Sequence, residues 1–195
     1  TNPLLKLVDL SVIAKFAKDN NIISVCDNTF CSPYIQKPLD FGIDIVVHSA
    51  TKYLNGHSDV VGGVVVCAED REDLSDDMFY LSNSVGGILS PFDSFLLLRS
   101  LKTLSVRMDR HCESALKLSK FLENHKAIEK VIYPGLISHP QHHVAKKQMH
   151  KFGGMITAIL KGGLNASKTF LENTKIFSLA ESLGGVESLI EHPAI

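Results

Sequence analysis

The alternation of apolar and polar stretches along the chain predicts short buried strands separated by helices. Residues 22–26, 43–49 and 60–67 are apolar and rich in valine and isoleucine, as buried strands are. Residues 9–21 instead carry apolar side chains at helical spacing and end at a pair of asparagines. Continuous apolar strands alternating with helices favour an α/β fold, in which a mostly parallel sheet is covered by helices on both faces.

The second half of the pattern begins with a long helical region and then returns to strands. Residues 70–124 are helical in pattern, with breakers at 86–91, and the apolar spacing predicts a bend or break near residues 103–110. Beyond this region we predict strands at 128–134, 154–162 and 175–182, and a helix at 165–174. We therefore place a domain boundary near residue 104, with 1–103 in one domain and 104–195 in a smaller α/β domain.

Composition narrows the classes of partner. The chain has 195 residues, of which 45% are hydrophobic, and this is enough for one domain or one domain and part of another. Its net charge of −1 argues against nucleic acid or an anionic membrane as a partner. No apolar run reaches the length of a membrane span, and we expect a cytoplasmic protein with reduced cysteines. Because the chain opens on Thr1 and stops in mid-pattern, we expect it to be part of a longer protein.

Polar side chains follow two of the predicted strands where α/β sheets bind their ligands. Asp27 ends the first strand, and Ser49, Thr51 and Lys52 follow the second. A lysine, a carboxylate and two hydroxyls suit pyridoxal 5′-phosphate. The aldehyde of this cofactor condenses with a lysine, its ring nitrogen pairs with a carboxylate, and its phosphate binds hydroxyls. On spacing alone, a solvated loop lysine or another kind of phosphate site stays open. Neither a P-loop nor a dinucleotide fingerprint is present.

Longer motifs around these residues resemble one enzyme family. The segment DNTFCSPYIQKPLDFGIDIVVHSATKYLNGHSDVVGGVV, residues 27–65, closely resembles the signature of the Cys/Met-metabolism family of pyridoxal-phosphate enzymes. The match continues through SLGGVESLIEHPAI at 182–195, and TNP at 1–3 resembles the end of the family's E-x-P-T-N-P motif. The resemblance implies the aspartate-aminotransferase-like fold, fold type I, with a large cofactor domain and a smaller C-terminal domain, both incomplete in this chain.

The resemblance also implies roles for individual residues. Lys52 is expected to form the Schiff base with the cofactor and then to act as the acid and base, since a freed neutral amine beside the substrate's α and β carbons suits proton transfer. Asp27 is expected to pair with the ring nitrogen, while Ser49 and Thr51 bind the phosphate. Asn2 is expected near the cofactor's phenolic oxygen and the substrate carboxylate.

Residues before SLGG separate the branches of the family. Ser182 is expected to help seat the substrate, and Glu181 resembles the glutamate of cystathionine γ-lyases and γ-synthases. A carboxylate there is suited to the distal ammonium of cystathionine, although a solvated loop glutamate is the alternative. We therefore expect γ-elimination of L-cystathionine to cysteine, 2-oxobutanoate and ammonia. The alternatives are γ-synthase, then β-lyase or methionine γ-lyase.

The resemblance implies a homotetramer that acts on a small amino-acid substrate. It also shows what this stretch lacks: the family's glycine-rich phosphate-binding turn, its stacking tyrosine, the tyrosine and arginine lent by a neighbouring subunit, and the arginine for the substrate carboxylate. If the 195 residues are taken alone, we expect a poorly active chain with an exposed sheet edge. A non-catalytic fragment that acts only as an assembly partner is therefore the alternative from a different class.

Several other polar residues are predicted to be structural. No metal site is predicted, because three histidines of one surface loop lack a cysteine or carboxylate at ligand spacing: His139, His142 and His143. His48 and His57 flank Lys52 and are expected to form local hydrogen bonds that hold its loop. Arg99 and Arg107 are expected to form helix or interface salt bridges.

Overall fold

The computed structural model describes residues 1–193, so the last two residues of the C-terminal motif lie outside the described part. The helices are α1 (Leu10–Asp19), α2 (Ser32–Ile35), α3 (Glu72–Val85), α4 (Pro91–Leu101), α5 (Leu104–Glu123), α6 (His142–Gln148) and α7 (Gly163–Glu172). The strands are β1 (Val25–Asp27), β2 (Ile45–Ser49), β3 (Gly63–Cys67), β4 (Ile128–Ile132), β5 (Thr157–Leu160), β6 (Ser178–Leu179) and β7 (Leu189–Ile190). A 3₁₀ turn covers Pro38–Phe41, and a π-helical turn covers Ala50–Leu54, which we call the lysine turn.

Helix α1 forms where the periodicity predicts it. The Asp9 side chain caps its N-terminus by accepting a hydrogen bond from the Val12 amide at 3.3 Å. Leu10 and Ala14 are one turn apart on the buried face and pack against Ile43, two residues before β2, and Val46 within it. The helix therefore covers one face of the first sheet.

The first sheet is mixed rather than mostly parallel. Strands β1 and β2 are parallel, and Asp27 lies opposite Val47. Strand β3 pairs with β2 in the antiparallel sense, with Ser49 opposite Gly63, which corrects the expectation of parallel pairing for this strand. The reason is the connection: residues 50–62 turn back on themselves and supply no crossover helix of the kind that parallel neighbours need. The α/β class itself is confirmed.

The predicted break in the long helical region is present. Helix α4 begins after Ser90, whose side chain accepts from the Asp93 amide at 3.1 Å, and it has proline at its first position. Lys102 and Thr103 separate it from α5. Both helices pack against the lysine turn in one buried cluster, which includes Tyr53, Leu97 and Met108.

A further buried cluster lies between the C-terminal half of α5, β4 and the residues that follow β4. Strands β4 and β5 pair in the antiparallel sense, and Val131 and Tyr133 pack against Ala115 of α5. Strands β6 and β7 form a short parallel pair. Helix α5 contributes Met108 to the cluster around the lysine turn and Ala115 to this one, so packing alone does not divide the chain at the start of α5. The domain boundary near residue 104 stays a prediction.

Three further findings concern membrane spans, the cysteines and the outer strands of the first sheet. Within residues 1–193, no helix is long and apolar enough to cross a bilayer. All four cysteines are free thiols, but only Cys112 is buried, whereas Cys26, Cys31 and Cys67 are half-buried. In the first sheet, β1 and β3 are the outer strands, and Val25 and Val65 are 58% and 51% exposed.

Candidate active site

Lys52 lies in a turn that begins directly after β2. The Ala50 amide donates to the Gly62 carbonyl at 2.8 Å, which anchors the start of the lysine turn beside β3. The amides of Asn55 and Gly56 then close the turn by donating to the carbonyls of Ala50 and Lys52, at 3.0 and 2.7 Å. Lys52 itself departs from helical geometry, with φ −90° and ψ −124°. The strand end and these hydrogen bonds fix the backbone from which the amine projects.

The amine of Lys52 meets a side chain from the far end of the sequence. Its Nζ lies 3.0 Å from the Ser182 hydroxyl oxygen, to which it donates. Gly184, two residues on, has φ +82° and approaches the lysine turn so closely that a Cβ there would lie 2.5 Å from the Tyr53 nitrogen. The SLGG segment therefore packs directly on the lysine turn, and a side chain at 184 would separate them.

Asp27 and Ser49 project from the same face of the sheet. Asp27 is opposite Val47 in the parallel register, and Ser49 is two residues further along β2, so the period of two places both side chains on one face. Thr29 connects them. Its amide donates to Asp27 Oδ1 at 2.9 Å, and its hydroxyl accepts from the Ser49 amide at 2.8 Å. The sequence analysis missed this role of Thr29, although it is the third residue of the D-N-T motif.

The Asp27 carboxylate has no cationic partner in the described part of the chain. None of the ion pairs within residues 1–193 includes it. The charge of Asp27 acts on two neighbours: it adds to the rise that burial causes in the pKa of the Cys26 thiol, and it opposes the lowering that burial causes in the pKa of the His48 imidazole. A carboxylate held by one backbone amide and left without a cation retains an acceptor oxygen for a positively charged ligand atom.

The Thr51 hydroxyl is engaged with the backbone that leads into β3. It accepts from the Gly62 amide at 3.0 Å and donates towards the Gly62 carbonyl at the longer distance of 3.4 Å. The weak second contact is the one that a phosphate oxygen would replace, since a hydroxyl proton can rotate to a better acceptor. Ser49 is half-buried at the end of its strand.

The other predicted site residues are placed less closely together. Asn2 is exposed, and no hydrogen bond within residues 1–193 joins it to Lys52, Asp27 or Ser182. Glu181 is exposed and adjacent to Ser182, and its carboxylate has no hydrogen-bonding or ion-pair partner among the described residues. The roles of all these residues stay predictions.

The neighbouring histidines behave differently from one another. His57 Nδ1 lies 2.7 Å from the Asn55 carbonyl oxygen and 3.1 Å from the Ser100 hydroxyl, so the predicted local hydrogen bonds of His57 are confirmed. His48 is 6% exposed, and its Nδ1 is buried without a partner in the described part of the structure. The predicted role of His48 in holding the loop through hydrogen bonds is therefore wrong for that nitrogen.

Two further predictions on polar residues are corrected. His139 is buried and not on the surface, and its Nε2 lies 3.2 Å from the Leu5 carbonyl oxygen. Neither Arg99 nor Arg107 forms a salt bridge within residues 1–193, so the predicted helix salt bridges are wrong for both, whereas the predicted interface salt bridges stay a prediction. Arg107 donates to backbone carbonyls of the lysine turn. In the same range no group of three or more histidine, cysteine, aspartate or glutamate side chains is arranged to hold a metal ion.

A model of the Cys/Met metabolism PLP-dependent enzymes matches residues 1–195. The chain belongs to this family. The family membership confirms pyridoxal 5′-phosphate as the predicted cofactor. It also explains why the lysine turn, the D-N-T motif and the SLGG segment occur together in one chain.

Curated relatives cover several activities of the family. A cystathionine beta-lyase of Coxiella burnetii is 60% identical over 195 residues, and a cystathionine gamma-lyase of Dictyostelium discoideum is 54% identical over the same length. A cystathionine gamma-synthase of Mycobacterium bovis is 48% identical over 194 residues. Each match covers 100% of this chain and 50% of the relative, so the chain spans about half the length of these proteins.

Solved structures agree with the fold. The cystathionine gamma-lyase from Lactobacillus plantarum, complexed with L-serine, superposes with a TM-score of 0.96 at 49% identity. The cystathionine gamma synthase from Xanthomonas oryzae pv. oryzae, in complex with cystathionine, gives 0.96 at 48% identity. Both cover 100% of this chain and 50% of the other. The predicted fold type I class is therefore confirmed, and the chain accounts for half of each of these structures.

Proposed function

We propose that the protein takes part in a pyridoxal-phosphate-dependent γ-elimination of L-cystathionine, with water, to cysteine, 2-oxobutanoate and ammonia. The observation that carries the proposal is the 3.0 Å contact between Lys52 Nζ and Ser182 Oγ. It unites the lysine turn with the segment that, in the family pattern, distinguishes substrates. This chain spans half of the length of its relatives. The activity is therefore proposed for the protein expressed from its complete open reading frame.

The residues at the end of β1 and β2 fit the cofactor. Lys52 would hold it covalently through its amine, and Asp27, which lacks a cation in the described part, would pair with the protonated ring nitrogen. Ser49 and Thr51 would bind the phosphate from the start of the lysine turn. When bound, the cofactor would withdraw electrons from the substrate's α-carbon and so acidify the hydrogens on the α- and β-carbons.

The chain's own residues would bind the substrate and move its protons. Lys52 Nζ would take the proton from the substrate's α-carbon and transfer protons at the β-carbon, as a neutral amine within reach of both. The Ser182 hydroxyl would orient that amine, since it accepts from Nζ, and Ser182 and Asn2 would help hold the substrate carboxylate. The packing of Gly184 on the lysine turn would keep solvent out on that side.

Glu181 supports cystathionine as the substrate. Its carboxylate is exposed and has no partner within residues 1–193, and Glu181 immediately precedes Ser182 in the chain. A carboxylate in this position is suited to a charge-assisted hydrogen bond with the distal ammonium of cystathionine, which simple thiol amino acids lack. The gamma-lyase of D. discoideum, at 54% identity, is consistent with this choice.

A β-elimination is the second candidate, because a relative named cystathionine beta-lyase is 60% identical to the chain. The two reactions divide the same substrate differently: γ-elimination yields cysteine and 2-oxobutanoate, whereas β-elimination yields homocysteine and pyruvate. The γ-synthase and methionine γ-lyase alternatives are separated by their substrates, an activated homoserine ester and methionine. A fragment that acts only as an assembly partner would bind no cofactor.

We also propose a cytoplasmic homotetramer, on the strength of the family resemblance. Light scattering on the purified protein tests the assembly, since a tetramer and a dimer differ twofold in mass. Fractionation of the source cells tests the location.

The first experiment is the visible spectrum of the protein expressed from its complete open reading frame, followed by borohydride reduction and peptide mapping. A visible cofactor band that reduction fixes to Lys52 supports the proposal. A colourless protein in the presence of excess cofactor, or attachment to another lysine, contradicts it.

The second experiment replaces Glu181 by glutamine and measures cystathionine turnover with both keto acids quantified. We expect KM for cystathionine to rise about tenfold, which corresponds to the loss of one charge-assisted contact. Glu187→Gln is the matched control, because Glu187 lies in the same segment and bonds to the Ser58 hydroxyl at 3.0 Å, away from Ser182. Equal KM values in the two variants would contradict the role of Glu181 in binding cystathionine, and pyruvate as the product would contradict γ-elimination.

A further inference from the structure

Arg107 is a half-buried cation whose hydrogen bonds go to neutral oxygens. Its Nη1 donates to the Tyr53 carbonyl at 2.7 Å, and its Nη2 donates to the carbonyls of Ser100 and Leu54, at 3.0 and 3.3 Å. Its Nε donates to the Thr103 hydroxyl at 3.1 Å. No carboxylate lies within ion-pairing distance of it in residues 1–193.

The carbonyls that it binds lie at the ends of two helical segments. Tyr53 and Leu54 close the lysine turn, and Ser100 is in the last turn of α4. Carbonyls at a helix C-terminus lack amide partners in their own helix and carry partial negative charge, so a guanidinium between two such ends satisfies both. Burial lowers the pKa of Arg107, and no carboxylate within residues 1–193 offsets that shift.

The chain that leaves the lysine turn is shaped around this guanidinium. Gly56 has φ +69°, and a Cβ at this position would lie 2.0 Å from Arg107 Nη1 and 2.5 Å from Cζ. The Gly56 amide donates at 2.7 Å to the carbonyl of Lys52 itself. Three consecutive carbonyls, those of Lys52, Tyr53 and Leu54, are therefore held by Gly56 and by an arginine whose guanidinium fills the space that a side chain at 56 would occupy.

We propose that Arg107 is a positioning residue for Lys52: by holding the carbonyls of Tyr53 and Leu54 against α4, it sets the direction in which the amine is presented to Ser182. The proposal rests on the proposed function in one respect, namely that Lys52 is the lysine that carries the cofactor. Arg107 makes no contact with the amine and acts through the backbone of the lysine turn. It thus couples the reactive lysine to the junction of α4 and α5.

The test compares Arg107→Met and Arg107→Lys with Arg110→Met, a control in the same helix whose side chain is 78% exposed. The cofactor is removed from each protein, expressed from its complete open reading frame, and the rate of its reattachment to Lys52 is measured at a temperature where unfolding curves show every variant folded. We expect Arg107→Met to be slowed about 10- to 100-fold, the effect of a displacement on the order of 1 Å. Arg107→Lys keeps the charge but loses the planar guanidinium that donates to several oxygens at once, and we expect it to recover only part of the rate.

Amide hydrogen exchange of the cofactor-free proteins supplies a readout that does not depend on activity. The amides of Asn55 and Gly56 close the lysine turn, and we expect them to exchange faster in Arg107→Met than in Arg110→Met. Unchanged attachment rates in folded Arg107→Met, or in Arg107→Lys if the methionine variant does not fold, would overturn the inference alone. Wild-type protein that attaches no cofactor at Lys52 would overturn the proposed function and the inference with it.

Discussion

Gly184 packs against the peptide that joins Lys52 to Tyr53, 132 positions earlier in the chain, with no room for a side chain between them. A Cβ at Gly184 would lie 2.5 Å from the Tyr53 nitrogen and 2.7 Å from the Lys52 carbonyl carbon. Both contacts are to backbone, which cannot swing aside as a flexible side chain can. The relationship makes the C-terminal segment a wall of the same site that the lysine turn forms.

We expect Gly184→Ala to displace the SLGG segment and weaken the contact between Lys52 and Ser182. Gly86→Ala is the matched control, since Gly86 has φ +78° but nothing within 4 Å of its would-be Cβ. Each variant loses about 1–2 kcal/mol of stability from the left-handed backbone alone. Only Gly184→Ala should also slow covalent attachment of the cofactor to Lys52, measured by borohydride fixation. Equal attachment in the two variants would contradict the close packing.

Thr29 joins the carboxylate of Asp27, to which its amide donates, to the start of the lysine turn, where its hydroxyl accepts from the Ser49 amide. Thr29→Val keeps the shape but removes the acceptor for the half-buried Ser49 amide, and we expect a loss of about 1–3 kcal/mol in the free energy of unfolding. Thr29→Ser retains the hydroxyl and should recover most of the loss. Urea unfolding of the three proteins measures the difference, and a serine variant no better than valine would contradict a role for the hydrogen bond.

The sequence placed Asp27, Ser49 and Lys52 at one edge of the sheet because strand ends can be found from local apolar runs. The roles of Thr29 and Arg107 were not predictable in this way, since each depends on backbone groups that are distant in sequence and close only after folding. The antiparallel pairing of β3 was missed for a related reason: an apolar run shows that a strand is buried but not in which direction it joins its neighbour. The local sequence pattern thus located the candidate site residues, whereas the contacts that hold them in place are visible only in the folded structure.

A chain of buried amides ties the D-N-T turn to helix α6. Gln36 Nε2 donates to Asn28 Oδ1 at 2.9 Å, and Gln148 Nε2 donates to Gln36 Oε1 at 3.0 Å. Gln148 also accepts from the Leu10 amide at 3.2 Å. Gln148→Leu would leave buried polar atoms of both neighbours unpaired, and we expect the free energy of unfolding to fall by about 2–3 kcal/mol.

Lys146→Leu serves as the control for Gln148→Leu, since it introduces the same residue at an exposed position of the same helix. Urea unfolding should show the large loss for Gln148 alone. Comparable midpoints and slopes for the two variants would mean that the amide network contributes no net stability.

The buried imidazole of His48 should make the fold sensitive to mild acid. Burial lowers the pKa of His48 below its ordinary value of 6.5, with the charge of Asp27 opposing the shift. The unfolded chain therefore binds more protons than the folded chain near pH 6, so stability is complete above pH 6.5 and falls as the pH drops through the folded-state pKa. Burial also lowers the pKa of His111 and His139, which adds to the same slope.

Replacing His48 by leucine isolates its share of that slope. Its Nδ1 has no partner within the described residues, so the variant loses no hydrogen bond at that atom, and we expect near wild-type stability at pH 7.5. Between pH 7.5 and 5.5, the free energy of unfolding should decline less steeply for His48→Leu than for wild type, because one of the three imidazoles whose pKa folding lowers is gone. Urea midpoints at pH 7.5, 6.5 and 5.5 measure this decline. Parallel declines in the two proteins would show that folding does not lower the pKa of His48, and that its burial has no effect on stability in acid.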